Sequence, residues 1–192
     1  MPPLILASTS RYRRQLLERL GLPFEVIRPD VAEDAIPGES PVDRASRLSI
    51  TKALAVARQR PEAIVIGSDQ VAASASGVLD KPGNAATCRA QLRALSGTTA
   101  HFYTGCAVVG LAERIDYAHI DSTAVVFRKL SADEIERYVD LEQPFDCAGG
   151  FKVEALGITL FERVENVDPT ALIGLPLIWV ASALRRAGYP LP

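Results

Sequence analysis

Short apolar runs and amphipathic stretches follow one another along the whole chain. Leu4–Ala7 is an apolar run that predicts a strand, and Ser10 then caps a helix that Gly21 ends. Residues 63–66 are all apolar, which is typical of a strand covered on both faces. The pattern therefore predicts strands and helices that interleave.

The same signals predict the other elements. Strands are expected at 24–27, 102–109, 115–127 and 158–164, helices at 40–59, 84–97, 131–141 and 177–187, a hairpin at 76–77 and an acidic loop at 29–37. No repeat or interdomain linker interrupts the chain. We therefore expect a single α/β domain over residues 1–192, with two lobes around a central cleft.

Composition and charge exclude several classes of protein. The chain has 192 residues, of which 48% are hydrophobic and 23% charged, as in ordinary globular proteins. Its formal net charge of -2 provides no overall positive field for nucleic acid or an anionic membrane. The apolar N-terminal run is too short for a signal peptide, and the run at 171–184 is too short for a membrane helix. These features predict a cytoplasmic protein whose anion site is local.

Cysteine, histidine and glycine patterns exclude some familiar kinds of site. The three cysteines form no C-x-x-C pair, and the two histidines do not have zinc spacing, so we expect neither a zinc site nor a disulfide framework. The chain has no G-x-x-x-x-G-K-[ST], G-x-G-x-x-G or G-x-S-x-G motif. Walker ATPases, Rossmann dehydrogenases and serine hydrolases are therefore disfavoured.

A local anion site is indicated where the first strand gives way to a helix. Ser8 lies at this junction, and Arg13 and Arg14 follow in the first turn, where free N–H groups and the helix dipole suit a phosphate. Lys52 lies off the polar arc of its own helix. Its ammonium therefore needs either an anionic partner or a side chain that extends along the protein surface until the charge is solvated. Lys81 is a further candidate cation in a loop. The alternative for each residue is an ordinary cap or a solvated side chain.

Asp69 is the strongest candidate for chemistry. It follows the apolar run at 63–66 after Gly67 and Ser68, at the end of a strand where open α/β sheets bind ligands. Because aspartate is a weak base at neutral pH, it needs a perturbing environment or a metal ion to activate water. Glu33 could join it around Mg²⁺. The alternative is a simple turn residue, but together these groups favour hydrolysis of a phosphoanhydride.

Several short motifs occur in a fixed order over nearly the whole chain. They are LILASTS at 4–10, RR at 13–14, KA at 52–53, IGSDQ at 66–70, KP at 81–82, LSG at 95–97, FYTG at 102–105, CAG at 147–149 and LIGLP at 172–176. With these motifs the chain resembles the Maf family of nucleoside triphosphate pyrophosphatases. Each motif is weak alone, whereas the ordered set is specific.

The resemblance implies a fold, a reaction and a set of site residues. The implied fold has a long twisted mixed sheet flanked by helices. The implied reaction depends on Mg²⁺ or Mn²⁺ and cuts between the α and β phosphates of a nucleoside triphosphate. Asp69 matches the proton acceptor and Glu33 an acidic active-site position. The family's phosphate-binding positions correspond to Ser8, Arg13, Lys52 and Lys81. Its substrate-selecting positions correspond to Tyr12, Gln70 and Glu154.

The positions matching substrate selection resemble one branch of the family. Ser68, Gln70 and Glu154 stand where the branch acting on dTTP and UTP has alanine, threonine and glutamine, so the chain looks like the 7-methyl-GTP branch. Glu154 could accept hydrogen bonds from the N1–H and N2–H of guanine, and Tyr12 could stack on the cationic methylated ring. The chain departs from the family at Arg11, where proline is usual, and around Glu154, where Gly150, Val153 and Ala155 replace Ser, Ser and Gly.

Other functions stay open from the sequence. One is a nucleotide-binding regulator of cell division that does not turn over. Another is a pyrophosphatase for ITP, XTP, dTTP or UTP. We expect a nucleoside triphosphate as the substrate and no nucleic acid or membrane partner, and a homodimer stays open.

Overall fold

A computed structural model describes residues 1–192, and its strands form one mixed seven-stranded sheet. The strands are β1 (Leu4–Ala7), β2 (Glu25–Ile27), β3 (Ile64–Ser74), β4 (Gly77–Leu79), β5 (Thr99–Gly110), β6 (Ile115–Phe127) and β7 (Phe161–Glu165). The helices are α1 (Arg11–Glu18), α2 (Pro41–Ala57), α3 (Ala85–Leu95), α4 (Ala132–Glu142) and α5 (Leu177–Arg186). The predicted α/β class with a mixed sheet and flanking helices is confirmed.

The strand order explains why the sheet is mixed. The order is β2-β1-β3-β5-β6-β7, with β4 paired to β3 outside this path. Strand β1 is parallel to both β2 and β3, whereas β4 is antiparallel to β3 and β7 is antiparallel to β6. None of the helices is both long and apolar enough to cross a bilayer.

The chain divides into two compact units. The first contains Met1–Gln70, Tyr103–Asp121 and Asp168–Pro192, and the second contains Val71–Phe102 and Ser122–Val167. The assignment of one domain over 1–192 stays a prediction, as do two lobes around a cleft.

The first unit has apolar clusters on both faces of its strands. Leu4 and Leu6 of β1 belong to the cluster that includes residues of α1 and α5, whereas Ile5 and Ala7 belong to the cluster that includes residues of α2. This division follows from the alternation of side chains along a strand. The uninterrupted apolar runs at 4–7 and 63–66 therefore lie in strands covered on both faces, as their sequences predict.

The second unit is built around an aromatic cluster. Phe102, Phe127, Phe151 and Phe161 form four edge-to-face pairs with ring centroids 5.0–5.4 Å apart. Such pairs contribute about 0.5–1.5 kcal/mol each beyond the area that they bury. These rings join β5, β6 and β7 to the segment that follows α4.

Most predicted helix starts are confirmed, and three strands differ from expectation. Ser10, Ser40, Asn84 and Ser131 each accept a hydrogen bond from the backbone N–H three residues later. Strand β5 begins at residue 99 and not at 102. Strand β3 does not end before residue 67, because residues 72–74 continue it by pairing with β4. Strand β7 begins at residue 161 and not at 158, because residues 156–160 form a 3₁₀ turn.

Candidate active site

Parallel pairing places the end of β1 beside the middle of β3. Ala7 lies opposite Gly67, so Ser8 follows the last paired residue while β3 continues through Asp69. Ser8 is 4% exposed and Asp69 7% exposed. Asp69 therefore lies within a strand and not after its end, which corrects the expectation from the sequence. The position is still where the parallel part of the sheet stops, because β1 pairs no further.

Two glycines let α2 approach the sheet closely. A Cβ on Gly67 would lie 2.6 Å from the backbone nitrogen of Ala53, and a Cβ on Gly105 would also meet the backbone of α2. Because neither position carries a side chain, the helix packs directly on β3 and β5. This close packing brings Lys52, the neighbour of Ala53, to the face of β3 that carries Asp69.

Lys52 is a buried cation between two carboxylates. Its Nζ donates to Oδ1 of Asp69 at 2.7 Å and to Oε2 of Glu33 at 2.8 Å, and the residue is only 5% exposed. A buried ammonium without partners would cost several kcal/mol, whereas each charge-assisted hydrogen bond contributes about 1.5–3 kcal/mol. The Lys52 side chain therefore does not extend to solvent, and the partners of its ammonium in this structure are the two carboxylates.

Arginines on the polar arc of α2 hold the acidic loop that carries Glu33. Arg44 donates to the carbonyl of Glu33 at 3.1 Å, and Arg47 donates to the carbonyl of Asp34 at 3.1 Å. Arg47 also forms two hydrogen bonds with Glu39, at 2.6 and 2.8 Å, and this interaction raises its pKa. The loop is therefore attached to the same helix that supplies Lys52.

Arg13 is the partly buried cation of α1. Its Nε donates to the carbonyl of Gly174 at 2.9 Å, and one of its terminal nitrogens lies 3.4 Å from Oγ of Ser8. Burial lowers the pKa of the guanidinium, and the negative charge of Asp69 opposes this shift. Arginine still keeps its charge at any physiological pH. The predicted pair of Ser8 and Arg13 is thus brought together at the start of α1.

Residues on the opposite face of β3 bind the loop at 168–176. Oγ of Ser68 lies 2.8 Å from the carbonyl oxygen of Gly174. The side-chain nitrogen of Gln70 lies 3.1 Å from the carbonyl oxygen of Ala171 and 3.0 Å from that of Leu172. Alternation along the strand therefore separates Asp69 from Ser68 and Gln70. In this structure the Gln70 amide nitrogen binds protein carbonyls.

A buried carboxylate that is not among the residues predicted from the sequence orders this loop. Asp168 is 2% exposed, and its carboxylate accepts from the backbone N–H and the hydroxyl of Thr170 and from the backbone N–H of Ile178. The Thr170 hydroxyl oxygen in turn accepts from the backbone N–H of Leu177 at 2.8 Å. The loop therefore presents the Gly174 carbonyl to Arg13. The only sequence signal was the Asp-Pro-Thr triplet before the LIGLP motif.

Tyr12 and Arg14, the two other candidate residues on α1, both contact side chains of the same helix. The Arg11 guanidinium lies 4.7 Å from the ring centroid of Tyr12 and donates to its hydroxyl at 2.7 Å. Arg14 is largely exposed and pairs with Glu18 at 3.0 Å. The assignments of Tyr12 to the base and Arg14 to phosphate stay predictions.

Two predicted site residues belong to the second unit. Lys81 is exposed in the loop between β4 and α3. Glu154 is exposed in the segment between α4 and β7, two residues after the partly buried Lys152. Their predicted roles toward phosphate and base stay predictions.

Comparison with known proteins defines the class. The profile described as "Maf-like protein" matches residues 3–187, and the chain belongs to this family. It is 54% identical over 192 residues, covering 100% of both chains, to a protein of Xanthomonas axonopodis pv. citri named "7-methyl-GTP pyrophosphatase". A protein of Aromatoleum aromaticum with the same name is 53% identical over 189 residues, with 98% of this chain and 97% of the relative covered.

A solved structure supports the fold. The Staphylococcus aureus Ham1 protein covers 97% of this chain and is itself covered completely, with a TM-score of 0.51 and 14% identity. At this identity the likeness concerns the fold alone.

Proposed function

We propose that this protein hydrolyses a nucleoside triphosphate to the monophosphate and pyrophosphate, with 7-methyl-GTP as its substrate. The observation that carries the proposal is the Lys52 ammonium between Asp69 and Glu33, next to the Ser8–Arg13 pair, in a chain about half identical to proteins named for this activity. Cations and carboxylates in one place suit a polyphosphate chain and an attacking water.

The site residues divide the reaction between them. Arg13, Lys52 and Lys81 are assigned to phosphate oxygens, together with Ser8 and the exposed Arg14. Asp69 accepts the proton of the water that attacks the α phosphorus, and the bond from the α phosphorus to the bridging oxygen breaks. Pyrophosphate then leaves with the electron pair of that bond. No covalent intermediate is needed.

A divalent cation fits the pair of carboxylates. Asp69 and Glu33 both bind the same Nζ, so their oxygens lie within reach of a single cation. Mg²⁺ prefers one or two carboxylates together with substrate phosphates. The pair matches this preference, because no third His, Cys, Asp or Glu joins it. Mg²⁺ or Mn²⁺ held there would neutralise phosphate charge and acidify water. Lys52 would then turn its ammonium toward phosphate.

The choice of base is assigned to Glu154 and Tyr12. An exposed carboxylate can accept from N1–H and N2–H of guanine, and methylation at N7 acidifies N1–H, which strengthens this pair. Gln70 is included on the family resemblance, although its amide nitrogen binds the loop at 168–176. Tyr12 would stack on the cationic ring once Arg11 leaves its face.

A substrate panel tests the proposal. We expect Mg²⁺ or Mn²⁺ to support release of pyrophosphate, and kcat/KM to be highest for 7-methyl-GTP among 7-methyl-GTP, GTP, ITP, XTP, dTTP and UTP. The variant Glu154→Gln should lose about tenfold or more on guanine substrates only, because an amide donor would then face a base donor. Orthophosphate as first product would refute the reaction, and binding without turnover would favour a regulator. Preference for dTTP or UTP would refute only the base assignment.

Location and partners belong to the same proposal. A nucleotide enzyme with no overall positive charge is expected in the cytoplasm, acting without nucleic acid or membrane. A homodimer is a further option that measurement of the mass in solution would decide.

A further inference from the structure

Glu142, the last residue of α4, bonds both ends of the short loop that carries Glu154. Its Oε1 lies 3.2 Å from Nζ of Lys152, and its Oε2 accepts from the backbone N–H of Leu156 at 3.0 Å. Its backbone carbonyl also accepts from Nζ of Lys152 at 3.2 Å. One carboxylate therefore joins residues on either side of Glu154.

The loop itself is tightly closed. The Tyr138 hydroxyl accepts from the backbone N–H of Lys152 at 3.1 Å, and the N–H of Ala155 donates to the carbonyl of Lys152 at 3.3 Å. A Cβ on Gly157 would lie 2.9 Å from the backbone nitrogen of Lys152, so no other residue fits there without a shift. Residues 152–157 thus form a compact loop whose exposed residues are Glu154, Ala155 and Leu156, and Glu154 is the charged one of these.

Burial separates Glu142 from ordinary surface ion pairs. The side chains of Lys152 and Glu142 are 14% and 12% exposed, whereas those of Arg93 in α3 and Glu136 in α4, which also form an ion pair, are 54% and 43% exposed. A pair shielded from water is screened less by salt and loses more when one partner is neutralised.

We propose that Glu142 is a positioning residue for base selection, because it holds the loop 152–157 so that the Glu154 carboxylate stands fixed toward the guanine edge. The inference rests on the proposed role of Glu154. A flexible loop would have to be ordered at each binding event, which weakens substrate binding. The effect of Glu142 should therefore fall on KM for guanine substrates more than on kcat.

The test combines Glu142→Gln, Glu154→Gln and the double variant. The amide of Glu142→Gln keeps one acceptor but faces Lys152 or Leu156 with a donor, so we expect KM for 7-methyl-GTP to rise about fivefold or more, with activity on dTTP unchanged. In the Glu154→Gln background the same substitution should add less than about twofold, since it acts through Glu154. Hydrogen exchange at 152–157 should be faster in Glu142→Gln.

The control is Glu136→Gln, which neutralises a carboxylate of α4 that pairs with Arg89 and Arg93 of α3 and does not touch the loop. It should leave the choice of base unchanged even if it lowers the unfolding midpoint. The role of Glu142 is refuted, and the base assignment survives, if Glu154→Gln changes base choice while Glu142→Gln does not. It is also refuted if the effects of the two substitutions on KM for 7-methyl-GTP are additive. If Glu154→Gln leaves base choice unchanged, the inference fails together with the base assignment on which it rests.

Discussion

Lys52 owes its place inside the protein to two carboxylates. The ammonium is bonded at 2.7 Å to Asp69 and at 2.8 Å to Glu33, which come from different elements of the first unit. Removing either partner would leave a buried charge less well compensated. The same three groups can bind phosphate, a divalent cation and water once a substrate enters, so stability and reactivity depend on one cluster.

Replacing Asp69 tests its role at the scale of a single residue. Asp69→Asn keeps an acceptor for Lys52 but removes the negative charge that accepts a proton, so kcat should fall by about 10²–10⁴-fold. The protein should still fold, with a lower unfolding midpoint, because Glu33 is then the only carboxylate that neutralises Lys52. Pyrophosphate release and urea unfolding measure the two effects.

The control for this variant is Asp116→Asn, at an exposed position of β6. It removes one carboxylate without touching the cluster, so its turnover should equal that of the wild type. Turnover of Asp69→Asn within about threefold of this control would move the proton acceptor to another residue.

At the scale of elements, the contact of α2 with the sheet determines whether the cluster forms. The helix can lie close because β3 and β5 carry Gly67 and Gly105 where side chains would strike its backbone. A helix pushed outward by even a methyl group would carry Lys52 away from Asp69, since packed cores adjust little.

Gly67→Ala tests this contact. The added methyl would meet backbone atoms of α2, which cannot swing aside, so we expect a loss of about 1–3 kcal/mol in the free energy of unfolding and reduced activity. The control is Gly110→Ala at the end of β5, where the methyl would meet side-chain atoms, with Cδ1 of Ile64 and Oε2 of Glu113 the nearest, and no helix backbone. Urea unfolding compares the two, and equal losses would show that the α2 contact is not special.

The capping box of α4 gives a pH-dependent prediction for one element. Glu134 accepts from the backbone N–H of Ser131 and from Arg128, and these hydrogen bonds lower its pKa from 4.5 to about 2. A carboxylate with a depressed pKa contributes stability above its unfolded value, and this contribution disappears as pH falls through its folded value.

Glu134→Gln should therefore be less stable than the wild type above pH 5, and the difference should shrink as pH falls from about 4.5 toward 2. The measurement is the urea midpoint of both proteins at several pH values. Comparing the two proteins at each pH cancels the contribution of the other carboxylates to stability, because both proteins carry them. A difference that does not change with pH would mean that Glu134 contributes nothing through its charge.

At the scale of the whole molecule, the open question is whether the two units unfold together. Cys106 lies in the first unit and Cys88 in the second, and both are buried free thiols. Burial raises the pKa of Cys88 to about 11 and raises that of Cys106 still more strongly. Cys147 is only partly buried. Cys147 therefore reports on the surface, Cys106 on the first unit and Cys88 on the second.

We expect one thiol of three to react with a thiol reagent in the native protein, and Cys147→Ser to abolish this reaction. With rising urea, Cys88 and Cys106 should become reactive at the same midpoint if residues 1–192 are one cooperative domain. Mass spectrometry of the labelled protein identifies each site. Reaction of one buried thiol at a clearly lower urea concentration would mean that the units unfold independently.

The sequence by itself determined the features that depend on local chemistry. Apolar runs, helix caps and the long ribbon at 102–127 predicted most elements, because side-chain period and capping depend on residues close along the chain. The same reasoning proposed Ser8, Arg13, Lys52 and Asp69 as candidates, since polar groups where an apolar run stops and at inward helix positions are unusual without a function.

Only the tertiary structure decided which of these groups meet. The extension of β3 depends on pairing with β4, and the Lys52 contacts depend on a helix, a loop and a strand that are distant in sequence. The Gly174 carbonyl and Asp168 gave no charge pattern that could be recognised along the chain, because their role depends on a loop folded against β3 and α1. Local sequence specifies each element and its exposed chemistry, whereas packing of distant segments determines the partners.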